Sequence, residues 1–345
     1  MKIAQITPLY ESIPPKKYGG TERIVHYLTE ELIKQGHHIT LFASGDSKTS
    51  AELVPVCDKA LRLDSNCYDP IAYHFIQLQM VQSRISDFDL LHYHTDYLHF
   101  PSSVSNNKKN LTTLHGRLDI LELKNVYNIY NQFPLVSISN NQRQPIPAVN
   151  WVGTVYHGLP EELYNFYPNK GKYLAFIGRI AEEKGVERAI IMAKKAGIKL
   201  IIAAKISKVD EIYFQKQIKH LLKDPIIEFV GEIDEKSKGS FLGNAMALLF
   251  PINWPEPFGL VMIEAMACGT PVIAFNNGSV PEIIEDKQTG FIVNSIEEGI
   301  LAINKIDTID RKKCRLAFEE RFTASRMAND YLTIYDQLLK NNGHS

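Results

Sequence analysis

Length, composition and charge limit what this chain can be. Its 345 residues exceed the roughly 250–300 at which a single hydrophobic core stops growing, so we expect two domains. The net charge of −1 excludes the broad excess of Lys and Arg that nucleic acid or an anionic membrane attracts. The four cysteines show no metal or redox spacing, and no apolar stretch is long enough to span a bilayer. We therefore expect a cytoplasmic globular protein.

The first half of the chain alternates between strand and helix patterns. A strand, KIAQITP, precedes an amphipathic helix, TERIVHYLTEELIKQG. Four further strands follow in the segments HHITLFA, DLLHYH, NLTTLHG and PLVSIS. Short runs of Val, Ile, Leu and Phe between helices predict a parallel sheet that is covered on both faces.

The second half repeats this organisation. The strand KYLAFIGR and the helix VERAIIMAKKAG lead to five strands, KLIIAAK, IIEFVGE, MALLFP, TPVIAF and GFIV. Two such series predict two doubly wound α/β domains. We place the first domain at residues 1–160, joined by a C-terminal helix at 324–345, and the second at 161–323. Ligands bind beyond the carboxyl ends of open parallel sheets, so the loops after strands are the candidate sites.

The loops after the first strand of each domain have features of an anion site. The 13-residue loop PLYESIPPKKYGG is longer than the usual 2–6 residues and ends in Gly19 and Gly20, just before a helix whose N-terminus favours an anion. In the second domain, Arg179 directly follows a strand and Lys184 precedes a helix, which suits a diphosphate. Two alternatives stay open: a flexible glycine turn in the first loop, and a solvated turn with self-paired charges in AEEK.

The segment WPEPFGLVMIEAMACGTPV carries two glutamates near the start of a predicted helix. The neighbours of Glu264 three and four positions away are apolar, so its carboxylate should face the core, where an unpaired charge is costly. Vicinal hydroxyls such as those of ribose could donate hydrogen bonds to the carboxylate of Glu264. Glu256, on the preceding turn, could accept hydrogen bonds from a second polyol. Gly259 would let the ligand approach the helix N-terminus. The alternative is that glutamate is simply common in first helical turns.

Histidines mark another strand end in the first domain. His92 and His94 share one strand face with Asp96 nearby, which allows a metal site as an alternative, but no third ligand has a convincing spacing. We therefore predict no metal site. His115 follows a strand at its carboxyl end, where we expect it to face the ligand.

Taken together, these motifs resemble those of the retaining glycosyltransferases of family 4. The segments GGTERIVHYLTEELIKQGHHITLFA, TLHG, FIGRIAEEKG and WPEPFGLVMIEAMACGTPVIAFNNGSVPEII stand in that family's order and span essentially the whole chain. The last segment is highly specific. One departure is the glycine after the histidine of TLHG, where many relatives have aspartate. The resemblance implies an α/β fold of GT-B architecture, with two Rossmann-like domains facing across a cleft, the acceptor side in the first and the nucleotide-sugar donor side in the second.

The resemblance also implies roles for individual residues. Glu264 would bind the donor ribose, Glu256 would contact the donor sugar, and His115 would hydrogen-bond that sugar and shape the acceptor side. Arg179 and Lys184 would neutralise the diphosphate leaving group. Further donor contacts are implied for Gly19, Gly20, Phe258, Gly259 and Leu260, and for Ile233 at the base.

These roles imply a hexosyltransferase that moves a sugar from a UDP- or GDP-linked donor to an acceptor hydroxyl. Front-side attack would retain the anomeric configuration, without a metal or other cofactor. The implied partners are the donor and a carbohydrate, lipid-linked or small-molecule acceptor, with at most peripheral membrane contact and no nucleic acid. The alternatives are a nucleotide-sugar epimerase or phosphorylase of the same fold, and a catalytically silent nucleotide-sugar-binding subunit.

Overall fold

The computed structural model describes residues 1–16, 19–104 and 109–342. Lys17 and Tyr18 of the predicted glycine loop, and residues 343–345 of the predicted C-terminal helix, lie outside the described residues. The chain divides into two compact units. One comprises Met1–Pro160 together with the segment from Ala324 onward, and the other comprises Glu161–Thr323.

The first unit is built on a seven-stranded parallel sheet with the order β3-β2-β1-β4-β5-β6-β7. Its strands are β1 (Lys2–Ile6), β2 (His38–Ser44), β3 (Glu52–Cys57), β4 (Leu90–Tyr93), β5 (Asn110–Thr113), β6 (Leu135–Ser137) and β7 (Trp151–Thr154). Its helices are α1 (Gly20–Lys34), α2 (Pro70–Ser83), α3 (Phe100–Ser103), α4 (Leu121–Ile129) and α12 (Ala324–Asn342). The five predicted strands are confirmed, and the two edge strands, β3 and β7, are additions to the prediction.

The second unit has a six-stranded parallel sheet with the order β10-β9-β8-β11-β12-β13. Its strands are β8 (Tyr173–Arg179), β9 (Leu200–Lys205), β10 (Ile227–Gly231), β11 (Ala245–Phe250), β12 (Val272–Phe275) and β13 (Gly290–Val293). Its helices are α5 (Val186–Ala196), α6 (Glu211–Tyr213), α7 (Glu235–Gly243), α8 (Leu260–Ala267), α9 (Val280–Ile283), α10 (Ile296–Asn304) and α11 (Arg311–Arg321). All six predicted strands are confirmed. The predicted fold class, two doubly wound Rossmann-like domains, is also confirmed.

Helices cover the sheets with apolar stripes at helical spacing. In α5, Val186, Ala189, Ile190 and Ala193 are buried in the core of the second unit. The strand order reverses between β1 and β4 in one sheet and between β8 and β11 in the other. Connections leave in opposite directions at such a switch point, so a crevice forms beyond the strand ends. The loops after β8 and β11 therefore lie where a ligand site is expected in the second unit.

The C-terminal helix α12 is tied to the sheet of the first unit by buried hydroxyls. The Tyr331 hydroxyl lies 3.0 Å from Thr113 Oγ1, and the Tyr335 hydroxyl lies 2.8 Å from His92 Nδ1. The side chain of Ile334 takes the space that a Cβ on Gly153 would need. Sequence periodicity predicts a helix here but does not show this docking. In the described part of the chain, no helix combines the length and the apolarity needed to cross a bilayer.

Candidate active site

The loop after β8 and the loop after β11 are joined by backbone contacts. Gly185, which follows Lys184, has a positive φ of 67°. A Cβ at this position would overlap the carbonyl oxygen of Pro251. The N–H of Asn253 donates to the carbonyl oxygen of Glu183 at 2.8 Å. Only glycine has both the backbone freedom and the small size that this approach requires.

This approach brings Lys184 against Glu256. The Lys184 ammonium donates to Glu256 Oε2 and lies 4.8 Å from the centroid of the Trp254 ring. Trp254 Nε1 donates to the same carboxylate oxygen at 3.0 Å. The side chains of Lys184 and Glu256 are 20% and 13% exposed, so water screens their interaction only partly. Two residues that are 72 positions apart in the chain thus form one charged contact.

Arg179, at the end of β8, is held by two carboxylates. Its Nη1 donates to Asp210 Oδ2 at 2.9 Å, and its Nη2 donates to Glu183. The positive charge of Arg179 is therefore balanced by carboxylates in the loops after β8 and β9. The charges of AEEK are not paired with each other as the alternative supposed: Glu183 pairs with Arg179, and Lys184 pairs with Glu256. A diphosphate at Arg179 would have to share the guanidinium with these carboxylates.

The turn that carries Glu256 is supported by residues 277–279. Gly278 has a positive φ of 59°, and a Cβ there would overlap the backbone of Glu256. The N–H of Ser279 donates to the carbonyl oxygen of Glu256 at 3.0 Å, and Ser279 Oγ donates to that of Phe258 at 2.7 Å. These contacts give a physical reason for the glycine and serine in the segment GSVPE, to which the sequence alone assigned no role.

Gly259 is the N-cap of α8 and has a positive φ of 79°. A Cβ on it would stand 2.8 Å from Met262 Cε and 3.0 Å from Phe250 Cζ. The ring of Phe258 is buried in the core, which leaves its backbone as the part a ligand could contact. Leu260 is half-buried as the first residue of α8. The start of α8 therefore offers backbone N–H groups and the positive end of a helix dipole.

Glu264 has an ionic partner that the sequence does not indicate. Its side chain is 5% exposed, and its Oε1 accepts a hydrogen bond from Lys238 Nζ at 2.8 Å. Lys238 also reaches Glu235 Oε2 at 3.2 Å, and Glu235 accepts from the Tyr164 hydroxyl. The buried carboxylate is therefore compensated within the protein. Ile233, the predicted base contact, is half-buried in the loop that leads from β10 into α7.

In the first unit, Gly20 begins α1 and is exposed, whereas Gly19 is buried. A Cβ on Gly19 would stand 2.8 Å from Pro15 Cβ and 3.0 Å from Glu22 Oε2. Burial raises the pKa of the Glu22 carboxyl, so this side chain in the first turn of α1 is protonated more readily than an exposed glutamate. Close packing thus explains the glycine at position 19.

His115 ends a chain of hydrogen-bonded side chains that the sequence does not predict. His115 Nε2 lies 2.9 Å from His94 Nδ1, and His94 Nε2 lies 2.6 Å from Gln5 Oε1. An amide oxygen only accepts, so His94 donates to Gln5 and accepts from His115. His115 Nδ1 is then an unprotonated acceptor. This atom is buried and makes no hydrogen bond among the described residues.

His92, which the sequence offers as part of an alternative metal site, has both ring nitrogens engaged. Nδ1 lies 2.8 Å from the Tyr335 hydroxyl and Nε2 lies 2.8 Å from Thr113 Oγ1. Within residues 1–16, 19–104 and 109–342, no three His, Cys, Asp or Glu side chains are grouped so that they could hold a metal ion. His92 is instead part of the packing between the sheet and α12.

Two family models match most of the chain. A model described as Glycosyltransferase Family 4 matches residues 18–152, and one described as Glycosyl transferases group 1 matches residues 165–315. A phosphatidyl-myo-inositol mannosyltransferase of Mycobacterium leprae is 22% identical, over 97% of this chain and 96% of its own length.

Solved structures share the fold. A sucrose-phosphate synthase from Thermosynechococcus elongatus superposes with a TM-score of 0.79 at 19% identity, covering 99% of this chain and all of that one. The Anabaena protein HepE in complex with UDP-glucose has a TM-score of 0.74 at 18% identity, with both chains fully covered.

The buried histidines give a prediction for pH dependence. Burial lowers the pKa of His115 to about 3, and it holds the pKa values of His92, His94 and His157 well below the ordinary range. Because these pKa values are lower in the folded state, the unfolded chain binds more protons than the folded chain below about pH 6.5. The free energy of unfolding therefore decreases as the pH is lowered. One such histidine costs about 2 kcal/mol at pH 5.

Urea unfolding of the whole chain at pH 7.5 and pH 5 measures this effect. We expect the wild type to lose stability at pH 5, and we expect His115→Gln to lose less between the two values because it has one fewer proton to take up. An equal loss in both proteins would contradict the neutral state assigned to His115.

Proposed function

The chain belongs to the glycosyltransferases of family 4 with the GT-B fold, and from that premise we propose a retaining transfer of a sugar from a nucleoside-diphosphate donor to an acceptor hydroxyl. The observation that carries the proposal is the contact of Lys184 with Glu256 at the carboxyl ends of β8 and β11. The contact brings a cation and a carboxylate together at the carboxyl ends of neighbouring strands. We assign the cation to the diphosphate of the donor and the carboxylate to its sugar, beside the N-terminus of α8.

Charge development is the main demand of this reaction. As the anomeric carbon–oxygen bond breaks, the sugar becomes oxocarbenium-like and the diphosphate gains negative charge. A cation and helix dipoles already held in place stabilise that charge without reorganisation. Lys184 is half-buried and, among the residues that the structure describes, contacts one carboxylate, that of Glu256, whereas Arg179 is shared between two. We therefore assign Lys184 the larger part of the stabilisation and Arg179 the smaller.

The retained configuration follows from attack on the face that the diphosphate leaves. The acceptor oxygen forms a bond to the anomeric carbon as the bond to the phosphate oxygen breaks. The acceptor proton passes to the departing phosphate oxygen. In this scheme no carboxylate is a covalent nucleophile. Glu256 would accept hydrogen bonds from donor-sugar hydroxyls when Lys184 turns to the diphosphate.

The donor class rests on the second unit. Glu264 is buried behind the first turn of α8, at a distance along the helix that suits ribose hydroxyls when the diphosphate lies at the helix start. Ile233, in the loop before α7, is assigned to the base. HepE, which has the same fold, was solved with UDP-glucose, and this supports a nucleotide-linked sugar as donor. We propose a UDP- or GDP-linked sugar.

For the first unit, we assign hydrogen-bonding roles rather than proton transfer. A pKa of about 3 makes His115 a poor proton donor near neutral pH, so it would act as a neutral hydrogen-bond partner of a sugar hydroxyl. The exposed start of α1 at Gly20 is assigned to an anion of the substrate. The acceptor is a hydroxyl of a carbohydrate, a lipid-linked sugar or a small molecule.

Replacing Lys184 tests the charge assignment. We expect Lys184→Ala to lower the rate of nucleotide release from the best of UDP-, GDP- and ADP-linked sugars by about 10²–10³-fold, because a preorganised donor to the leaving group is lost. The matched control is Lys199→Ala, since Lys199 also forms an ion pair in the second unit, with Glu228, but is 51% exposed. Near-normal turnover in a folded Lys184→Ala protein would exclude the assignment. Failure of the wild type to release nucleotide would exclude the proposed function.

The same set of charges predicts turnover without a divalent ion. Protein cations and helix N-termini would compensate the diphosphate, so activity should persist in EDTA and change little when magnesium or manganese is added back. Activity that EDTA abolishes and either ion restores would show that the protein charges are not sufficient.

A further inference from the structure

Lys238 lies outside every motif that the sequence analysis uses, yet it is among the least exposed lysines of the second unit's ion pairs. Its side chain is 13% exposed, and its ammonium reaches inward from α7 to two carboxylates, Glu264 at 2.8 Å and Glu235 at 3.2 Å. Most lysines keep the ammonium in water and bury only the stem. The inward direction of Lys238 therefore needs an explanation.

Stability alone is a weak explanation for this pair. Taking a carboxylate and an ammonium out of water costs free energy that their attraction often does not recover, and apolar replacements of such pairs are often neutral or stabilising. Glu264 is 5% exposed on a helix whose neighbouring positions are apolar, so an apolar residue there would pack readily. A function at the carboxylate would explain why a charged pair stands at these positions.

We propose that Lys238 is a positioning residue for Glu264, which its ammonium orients as a hydrogen-bond acceptor for the ribose hydroxyls of the donor. This inference rests on the proposed function. An ionised carboxylate has about four acceptor sites, so a hydrogen bond from Lys238 to Oε1 leaves room for two hydroxyl donors. The bond fixes the rotation of the carboxylate and therefore the directions in which the remaining sites point.

Lys238 has a second effect on the donor through its charge. The donor carries a diphosphate, and an uncompensated carboxylate behind the first turn of α8 would repel it. Opposite charges at about 3 Å nearly cancel at longer range, so Lys238 makes Glu264 an acceptor with little net repulsion of the phosphates. Glu235, which is 28% exposed and accepts from the Tyr164 hydroxyl, holds the ammonium from its other side.

The diagnostic property is discrimination between ribose and deoxyribose. Binding is measured by calorimetry for UDP, GDP and ADP, each beside its 2′-deoxy counterpart, and the tightest pair is used. We expect the wild type to bind the deoxy nucleotide about tenfold to a hundredfold more weakly, as for the loss of a hydrogen bond to a charged group. Glu264→Gln should lower that ratio to within about threefold of unity, and Lys238→Met should do the same.

Control variants separate positioning from general damage. Lys236→Met removes an exposed lysine from the same helix and should keep the wild-type ratio. Lys238→Arg keeps the charge and a donor and should recover discrimination. If Lys238→Met does not fold, Lys238→Leu, which also has neither a charge nor a hydrogen-bond donor, takes its place. A merely structural role would change the melting temperature but leave the ratio unchanged.

The outcomes distinguish this inference from the proposal beneath it. Loss of discrimination in Glu264→Gln together with full discrimination in the Lys238 variants would overturn the role of Lys238. A wild type that does not discriminate would overturn the ribose assignment of Glu264, and the role of Lys238 with it. A protein that binds none of the three nucleotides would overturn the proposed function itself.

Discussion

The ammonium of Lys184 faces the carboxylate of Glu256 because two loops are locked together through their backbones. Gly185 allows the loop after β8 to lie against Pro251, and Gly278 allows the loop after β12 to lie against the turn of Glu256. Neighbouring parallel strands with the order β8-β11 bring these loops to one edge of the sheet. The charged contact is therefore a consequence of the sheet topology, and the chemistry proposed for the second unit depends on it.

The second unit pairs the charged side chains of its candidate site with one another. Lys184 contacts Glu256, Arg179 contacts Asp210, and Lys238 contacts Glu264. These pairs are shielded enough from water that they hold side chains in place, unlike exposed ion pairs, which are weak and screened. A nucleotide-sugar donor carries both a diphosphate and hydroxyls. In the proposed complex, the diphosphate would contact the cation of such a pair, and the hydroxyls would donate hydrogen bonds to the carboxylate. In the proposed mechanism, these side chains are held in position and their charges are paired.

The strands, the helices and the side-chain contacts of this protein differ in how clearly the sequence indicates them. Most strands carry several apolar residues between turn residues, as in β2, β8 and β11, and the sequence predicts them correctly. The edge strands β3 and β7 of the first sheet are mostly half-buried, and β3 contains Pro55, so their patterns are weaker. Helix α2 was missed because its buried face carries His74 and Gln77 while Phe75 and Ile76 are exposed. The partner of Glu264 could not be found either, since Lys238 stands 26 positions away, on another helix, and only tertiary packing brings the two together.

The central claim is that the loops after β8 and β11 and the start of α8 hold a nucleoside-diphosphate donor. A crystal structure of the chain with the tightest-binding of UDP, GDP and ADP tests it most directly. The account predicts the diphosphate within hydrogen-bond distance of Lys184 and the N-terminal amides of α8, with both ribose hydroxyls on Glu264. A nucleotide bound elsewhere, or bound with its ribose away from Glu264 and its phosphates away from Lys184, would contradict it.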